Sequence, residues 1–369
     1  MGKMKFEILR EAVLKPLQMV SGVVEKKQTL PILSNILINL DQGKLTITAT
    51  DLEMEVIATT QIDSTASGST TVPVRKFMDT CKTLADDSLI KFVVDNNKAI
   101  LTSKKTRFSL TTMPAEDFPV IDTKSQLFGF KIKQKDLKRL IDKTSFAMAF
   151  QDVRFYLNGL LFEITPHCIK TVATDGHRLA ICSAEVETGV SDESSIIIPR
   201  KGVLEIARLL EDSNEEIEVI VGENFIRVIF SDVTFTSKLV DGKYPNYDSV
   251  IPKNTDKQIH ADKTSLRQCL IRTSILSNEK YRGIKLAIRS GYLKATANNP
   301  DHEEAEDETP IDYDGETVEI GFNVNYLLDA ITALDTDTVE LNITDSNGST
   351  LVKAVDDESC QYVVMPMRL

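Results

Sequence analysis

The chain has 369 residues, 42% of them hydrophobic, and a net charge of −12. That is apolar material for two or three cores, and no apolar run approaches the length that crosses a bilayer. The acidic balance excludes a uniformly basic nucleic-acid binder, and five scattered cysteines (Cys81, Cys168, Cys182, Cys269 and Cys360) read as buried reduced thiols, with no support for a disulfide framework or a zinc site.

The opening Met1-Gly2-Lys3-Met4-Lys5-Phe6 lacks a signal-peptide core and places Phe6 where a myristoylation pattern wants Ser or Thr. A cytoplasmic protein is expected, with Met4 as an alternative start. A helix is predicted over 10–27, disturbed by Pro16. Asn35-Ile36-Leu37 opens a strand, and Leu45 to Thr48 forms another that ends in Ala49-Thr50-Asp51. A second helix is predicted over 75–87, and Phe108-Ser109-Leu110 closes the unit. The pattern then starts again. Leu137, Leu140, Ile141 and Thr144 at i, i+3, i+4 and i+7 predict a helix over 131–143 running on towards Ala149. Asn158-Gly159-Leu160 opens a strand, and Ile169 to Val172 leads to Ala173-Thr174-Asp175. Pro199 opens a helix over 200–212 carried by Val203, Ile206, Ala207 and Leu210. Alternation in Phe225 to Phe230 reads as a strand, and Phe235-Thr236-Ser237 closes this round. The third has a helix over 262–282, an opening strand at Gly283-Ile284-Lys285, and a strand from Tyr292 to Thr296 that ends in Ala297-Asn298-Asn299. Its last helix covers 325–335, and Tyr362-Val363-Val364 ends the unit.

Asp51, Asp175 and Asn299 are spaced by 124 residues, so three repeats consume the chain. The expected organisation is α+β, with domains at 1–127, 128–256 and 257–369, each of two β-rich halves with one helix per half.

The six helical segments hold 21 Lys and Arg against 14 Asp and Glu, a net of +7 that leaves −19 elsewhere. Such a split suits helices lining a channel that attracts phosphates; it equally suits helices with an ordinary solvated basic face. Lys104, Lys105 and Arg107 around Phe108 are complemented by Asp301, Glu303, Glu304, Glu306, Asp307 and Glu308 in the last third. Opposite patches at different places predict head-to-tail association, with a solvated acidic loop as the alternative. No phosphate-binding glycine loop, dinucleotide fingerprint or zinc-protease motif occurs. Asp175 and His177 look most like chemistry, but no nucleophile elbow lies nearby, and the match of Asp175 to Asp51 and Asn299 marks a turn-forming side chain. No catalytic residue, metal site or cofactor is expected. The apolar end, Tyr362 to Leu369, must be packed, as a closing strand or beside a pocket for a partner peptide.

From end to end the chain resembles the bacterial β sliding clamp family, the processivity subunits of replicative DNA polymerases. The resemblance is carried by Thr29-Leu30-Pro31-Ile32-Leu33, Thr50-Asp51-Leu52-Glu53-Met54-Glu55, Gln151-Asp152-Val153-Arg154, Tyr156-Leu157-Asn158-Gly159 and Thr171 to Leu179. Ser237 to Gly242, Ile275 to Lys280 and Met365-Pro366-Met367-Arg368-Leu369 complete it. It implies a head-to-tail dimeric ring of clamp domains whose helices line a hole for duplex DNA, without catalysis or cofactor, acting in the cytoplasm at the nucleoid. It further implies a homodimer whose partners are the polymerase catalytic subunit, the clamp loader and other clamp-motif proteins. By this likeness the DNA-contacting residues are Lys27, Arg75, Gln151, Phe155, Tyr156, Arg200 and Lys201, with Lys27 and Phe155 standing where Arg and Tyr are expected. The partner-peptide pocket, between the second and third domains, is Arg154, Leu157, Thr174, Gly176, His177, Arg178, Leu179, Pro245, Val250, Asn323, Tyr326, Val363, Val364, Met365, Pro366, Met367 and Arg368. Ser249 stands where some relatives carry Arg. The dimer contact is Lys76, Lys105, Arg107, Phe108 and Leu110 against Ile275, Leu276, Glu303, Glu304, Glu306 and Asp307.

Overall fold

The computed structural model describes residues 4–25, 30–123, 125–253 and 255–368. Among the described residues, each third of the chain contributes eight strands and two helices. The first has β1 (Lys5–Leu9), α1 (Arg10–Val20), β2 (Asn35–Asp41), β3 (Lys44–Thr50), β4 (Met54–Gln61), β5 (Gly68–Pro73), α2 (Val74–Thr83), β6 (Leu89–Asp95), β7 (Lys98–Ser103) and β8 (Thr106–Thr111). The second has β9 (Gln126–Lys133), α3 (Gln134–Asp142), β10 (Gly159–Ile164), β11 (Cys168–Thr174), β12 (Arg178–Glu185), β13 (Ser194–Pro199), α4 (Arg200–Leu209), β14 (Glu216–Gly222), β15 (Phe225–Ile229) and β16 (Val233–Lys238). The third has β17 (Lys257–Asp262), α5 (Lys263–Ser274), β18 (Gly283–Arg289), β19 (Tyr292–Asn298), β20 (Glu304–Pro310), β21 (Val318–Asn323), α6 (Val324–Ala333), β22 (Thr338–Ile343), β23 (Thr350–Ala354) and β24 (Cys360–Val364).

By compactness the chain forms two units. Unit 1 comprises residues 1–134 and 204–239, and unit 2 comprises 135–203 and 240–369. Unit 1 holds a four-stranded sheet, β1-β6-β7-β8, and an eight-stranded one, β5-β2-β3-β4-β16-β15-β14-β9. Unit 2 holds an eight-stranded sheet, β13-β10-β11-β12-β24-β23-β22-β17, and a four-stranded one, β20-β19-β18-β21. Adding eight to each strand number of the first eight-stranded sheet yields the second. Each long sheet is therefore stitched from halves of two successive repeats, at β4–β16 and at β12–β24.

Alternating sequences make these strands: Glu216-Ile217-Glu218-Val219 buries every second side chain, the pattern of a sheet with one covered face. In unit 1, α1 lies on β3 and β4 and touches α2, burying Val13, Pro16, Leu17 and Val20. In unit 2, α5 packs on β19, β20 and α6 with Leu266, Cys269, Leu270 and Thr273 inward. These spacings are the single apolar stripe of a helix that covers a sheet.

Several helices are shorter than their sequence pattern. The first runs unbroken through Pro16, whose buried ring joins the apolar face, and gives way to a 3₁₀ turn at Ser21–Val23. The segment after Asp142 is not helical: Ser145–Ala147 is a 3₁₀ turn, and the Thr144 hydroxyl donates to Leu140 O at 2.7 Å, drawing the chain out of the ladder. The fifth helix stops at Ser274. The observed helices nevertheless keep the basic bias, with 14 Lys and Arg against six Asp and Glu.

Candidate functional site

The three repeat-spaced residues do one job. Asp51 Oδ1 accepts the backbone N–H groups of Glu53 and Met54 at 2.9 and 2.7 Å. Asp175 Oδ1 accepts those of His177 and Arg178 at 3.0 and 3.1 Å, and Asn299 Oδ1 those of Asp301 and Glu303, both at 3.1 Å. Each closes the turn between the same two strands of its repeat. The second carboxylate oxygen of Asp175 is held by Arg178 Nε at 3.1 Å. Asp175 is thus a turn clamp, and His177 stacks on Tyr326 with ring centroids 6.4 Å apart.

Beside this turn, unit 2 has a cleft of about 150 Å³, roughly the volume of one large side chain. It is lined by Arg154, Leu157, Thr174, Gly176, Arg178, Leu179, Pro245, Asn246, Tyr247, Val250, Val363 and Met365. Its floor continues into a buried cluster that includes Leu157, Leu179, Tyr244, Tyr247, Leu351 and Val363. Polar groups fix the walls. The Thr174 N–H donates to the Tyr244 hydroxyl at 3.0 Å, and burial pushes that hydroxyl's pKa up. The Tyr247 hydroxyl donates to Glu163 at 2.6 Å; burial and this carboxylate keep it protonated. Arg154 pairs with Asp152 at 2.8 Å, and the guanidinium holds that carboxyl down to about 2. Gly176 sits at φ +88°, where a Cβ would lie 3.0 Å from Arg154 Nη2, so this corner requires glycine. The Arg178 guanidinium donates to Phe146 O at 2.7 Å and lies 4.6 Å from the Tyr326 ring centre.

Ten of the sequence-predicted pocket residues line this cleft. The other seven do not. His177 and Tyr326 form the stacked pair beside it, Asn323 caps α6 by accepting from Asn325 N at 3.0 Å, and Val364 is buried with 1% exposure on the opposite face of β24, since neighbours along a strand point to opposite sides. Met367 is drawn away by a bond from its N–H to Gly321 O at 2.7 Å; Pro366 and Arg368 flank it. Ser249 stays off the cleft, its hydroxyl donating to Asn246 O at 3.0 Å. Asn246 and Tyr247 were missed; the signal was an aromatic pair, Tyr244 and Tyr247, around Pro245. A larger hollow of about 880 Å³ lies among Asp262, Asp312, Asp335, Asp337, Asp356 and Asp357. Three of these acids already serve the fold: Asp335 pairs with Lys143 and Asp357 with Arg139, and Asp262 caps α5.

Gln151, Phe155 and Tyr156 share one loop of unit 2, and Arg200 and Lys201 open α4 in the same unit. The loop 149–157 is closed at its base by Ala149 N–H to Leu157 O at 3.0 Å and by Asn158, which bonds Asp152 twice at 2.9 and 2.8 Å. Arg200 reaches this base through Met148 O at 3.2 Å. Phe150, Val153 and Phe155 stand exposed from the loop at 72%, 95% and 56%; Phe150 and Val153 carry no site role in the sequence reading, although apolar residues in a polar loop were the available signal. Arg75 lies exposed in the first turn of α2 in unit 1, and Lys27 lies outside the described residues. Lys76, on α2, and Lys105, Arg107, Phe108 and Leu110, on or beside the edge strand β8, belong to unit 1. Ile275 and Leu276, after α5, and Glu303, Glu304, Glu306 and Asp307, at the edge strand β20, belong to unit 2.

Three family models match in succession: the DNA polymerase III beta subunit N-terminal domain over residues 4–122, its central domain over 131–246 and its C-terminal domain over 248–368. The beta sliding clamp of Pseudomonas aeruginosa is 49% identical over 367 residues, covering 99% of this chain and 100% of the relative; that of Escherichia coli K12 is 46% identical with the same coverage. The crystal structure of the DNA polymerase III subunit beta from Pseudomonas aeruginosa superimposes with a TM-score of 0.97 at 49% identity, over 99% of this chain and 100% of that one.

Proposed function

The chain belongs to the β sliding clamp family, the β subunits of DNA polymerase III, and on that premise we propose that two copies close head to tail into a ring around duplex DNA. In replication the chain is a non-catalytic processivity factor. A ring cannot leave the duplex sideways, so a tethered polymerase stays near the primer end at high effective concentration. The cleft of Leu157, Leu179, Val363 and Met365 takes the apolar side chains of a short segment from the polymerase catalytic subunit, the clamp loader or another clamp-motif protein. Arg75, Arg200, Lys201 and, by likeness, Lys27 attract phosphates, while Gln151, Phe155 and Tyr156 touch the duplex without reading its sequence. The repeats at 1–127, 128–256 and 257–369 are the units of this ring. Loading by a separate ATP-consuming protein and a place at the nucleoid complete the reading.

The observation that carries the ring is the unfinished sheet at each end of the chain. Among the described residues, β8 and β20 each leave one edge unpaired. Their repeat mates are paired: β16 with β4, with Phe235 opposite Val56, and β24 with β12, with Tyr362 opposite Ala180. Phe108 occupies the position of Phe235 and Tyr362 against its hairpin partner, and Ala305 that of Val56 and Ala180. The repeat therefore supports β8 of one copy pairing with β20 of the other, Phe108 opposite Ala305, Arg107 opposite Glu306 and Thr106 opposite Asp307. Glu306 already holds Lys294 at 2.7 Å and Asp307 holds Arg272 at 2.6 Å, so Arg107 extends an ion network at the rim of Phe108 and Leu110.

The test is loading onto nicked circular DNA by a clamp loader with ATP, followed by linearisation at high salt. Retention on circles and loss on linear DNA is the expected result. Salt-sensitive binding indifferent to linearisation overturns the ring.

A further inference from the structure

Cys182 and Cys360 face each other directly on β12 and β24, the strand pair that stitches the second repeat to the third. The next pair along carries a backbone bond, from Ser183 N–H to Ser359 O at 2.8 Å. In an antiparallel ladder that makes Cys182 and Cys360 a non-hydrogen-bonded pair, with Cα atoms about 4.5 Å apart and side chains on one face. A disulfide needs Cα separations of about 4.4–6.8 Å, so the backbone is already in place for one.

The chemistry around the sulfurs agrees. Both residues are buried. One guanidinium serves both: Arg139 Nη1 lies 3.5 Å from Cys182 Sγ and Nη2 3.5 Å from Cys360 Sγ. The neighbouring Cys182 thiol draws the Cys360 thiol below its ordinary pKa against the cost of burial, and Arg139 assists. An adjacent cation favours the reactive thiolate. The other three cysteines lack this arrangement. Cys81 is on α2, Cys269 on α5, and Cys168 faces Glu185.

We propose that Cys182 and Cys360 are a modification site, joined into a reversible cross-strand disulfide by a two-electron thiol oxidant such as hydrogen peroxide. The Cys360 thiolate attacks the peroxide O–O bond; hydroxide leaves and is protonated to water, and Cys360 carries a sulfenic acid. The Cys182 sulfur then displaces that hydroxyl, and its proton departs with it as a second water. Two thiols lose one electron each and the peroxide gains two. The bond staples the two repeats under the cleft, three residues along each strand from Leu179 and Val363.

The full-length protein is treated with hydrogen peroxide at neutral pH, denatured and alkylated. Expected are three alkylated cysteines, one linked peptide pair containing Cys182 and Cys360, and recovery of all five thiols with dithiothreitol. Arg139→Gln is expected to slow the reaction about tenfold with the same product, through loss of one cation beside the thiolate. Cys182→Ser is expected to halt at a Cys360 sulfenic acid that dimedone traps. Five alkylated cysteines after oxidation, a link through another cysteine, or over-oxidised Cys360 with Cys182 still alkylatable overturns the proposal.

Discussion

Replacing Ile275 by Ala tests the assigned contact between copies. Ile275 is 72% exposed in the single chain and follows α5 as its C-cap in helical geometry, where Ala is well tolerated. The substitution should leave the fold alone and act on association. Fully burying an isoleucine side chain is worth about 1.5–3 kcal/mol, so the exposed share contributes about 1–2 kcal/mol per contact. A two-fold ring has two such contacts, and the total of about 2–4 kcal/mol raises the dimer dissociation constant by about thirty- to a thousandfold. Adding Leu276→Ala, beside it and partly buried, deepens the effect. Sedimentation equilibrium across a dilution series reads the change directly, with circular dichroism confirming the fold. A dissociation constant unchanged in the double variant, with native secondary structure, would refute the assigned interface.

Three further outcomes are expected. Thr106→Cys with Asp307→Cys in one chain should form intermolecular disulfides under mild oxidation in a Cys182→Ser, Cys360→Ser background, because that pair repeats the position of Cys182 and Cys360; equal cross-linking of Thr106→Cys with Glu306→Cys would mean another register. Deleting residues 365–369 removes Met365 from the cleft while leaving the β24 core residues Val363 and Val364, and should weaken a polymerase tail peptide about tenfold by calorimetry, the value of one apolar contact; unchanged affinity would move the binding site elsewhere. Because Arg154 depresses the Asp152 carboxyl to about 2, the clamp it makes is present above the ordinary carboxylate range and is lost as pH falls from about 4 through about 2. Carbon NMR of Asp152 should show its midpoint near 2, and a midpoint near 4 would show that Arg154 does not hold it.

The 124-residue spacing of Asp51, Asp175 and Asn299 was legible because a turn clamp is a local device: one side-chain oxygen meets backbone donors two to four residues away, so its chemistry lies within a short window. Helix identity was legible for the same reason, through stripes such as Val203, Ile206 and Leu210. Helix ends were less so, since Thr144 leaves the ladder for a bond that also involves Thr171, at 3.1 Å. The cleft was legible mainly through family likeness. Side chains 88 residues apart, such as Leu157 and Pro245, meet only after β10 to β12 are in place.

By itself the sequence determined three copies of one strand-and-helix pattern, basic helices in an acidic chain, and the residues that turn each hairpin. All of these are properties of neighbours along the chain. Only the tertiary structure decided that each long sheet joins half of one repeat to half of the next, that β8 and β20 are left with open edges, and that Cys182 meets Cys360. Strand partners are chosen by backbone hydrogen bonding between segments far apart, and a strand's sequence states which face is apolar but not which strand lies beside it.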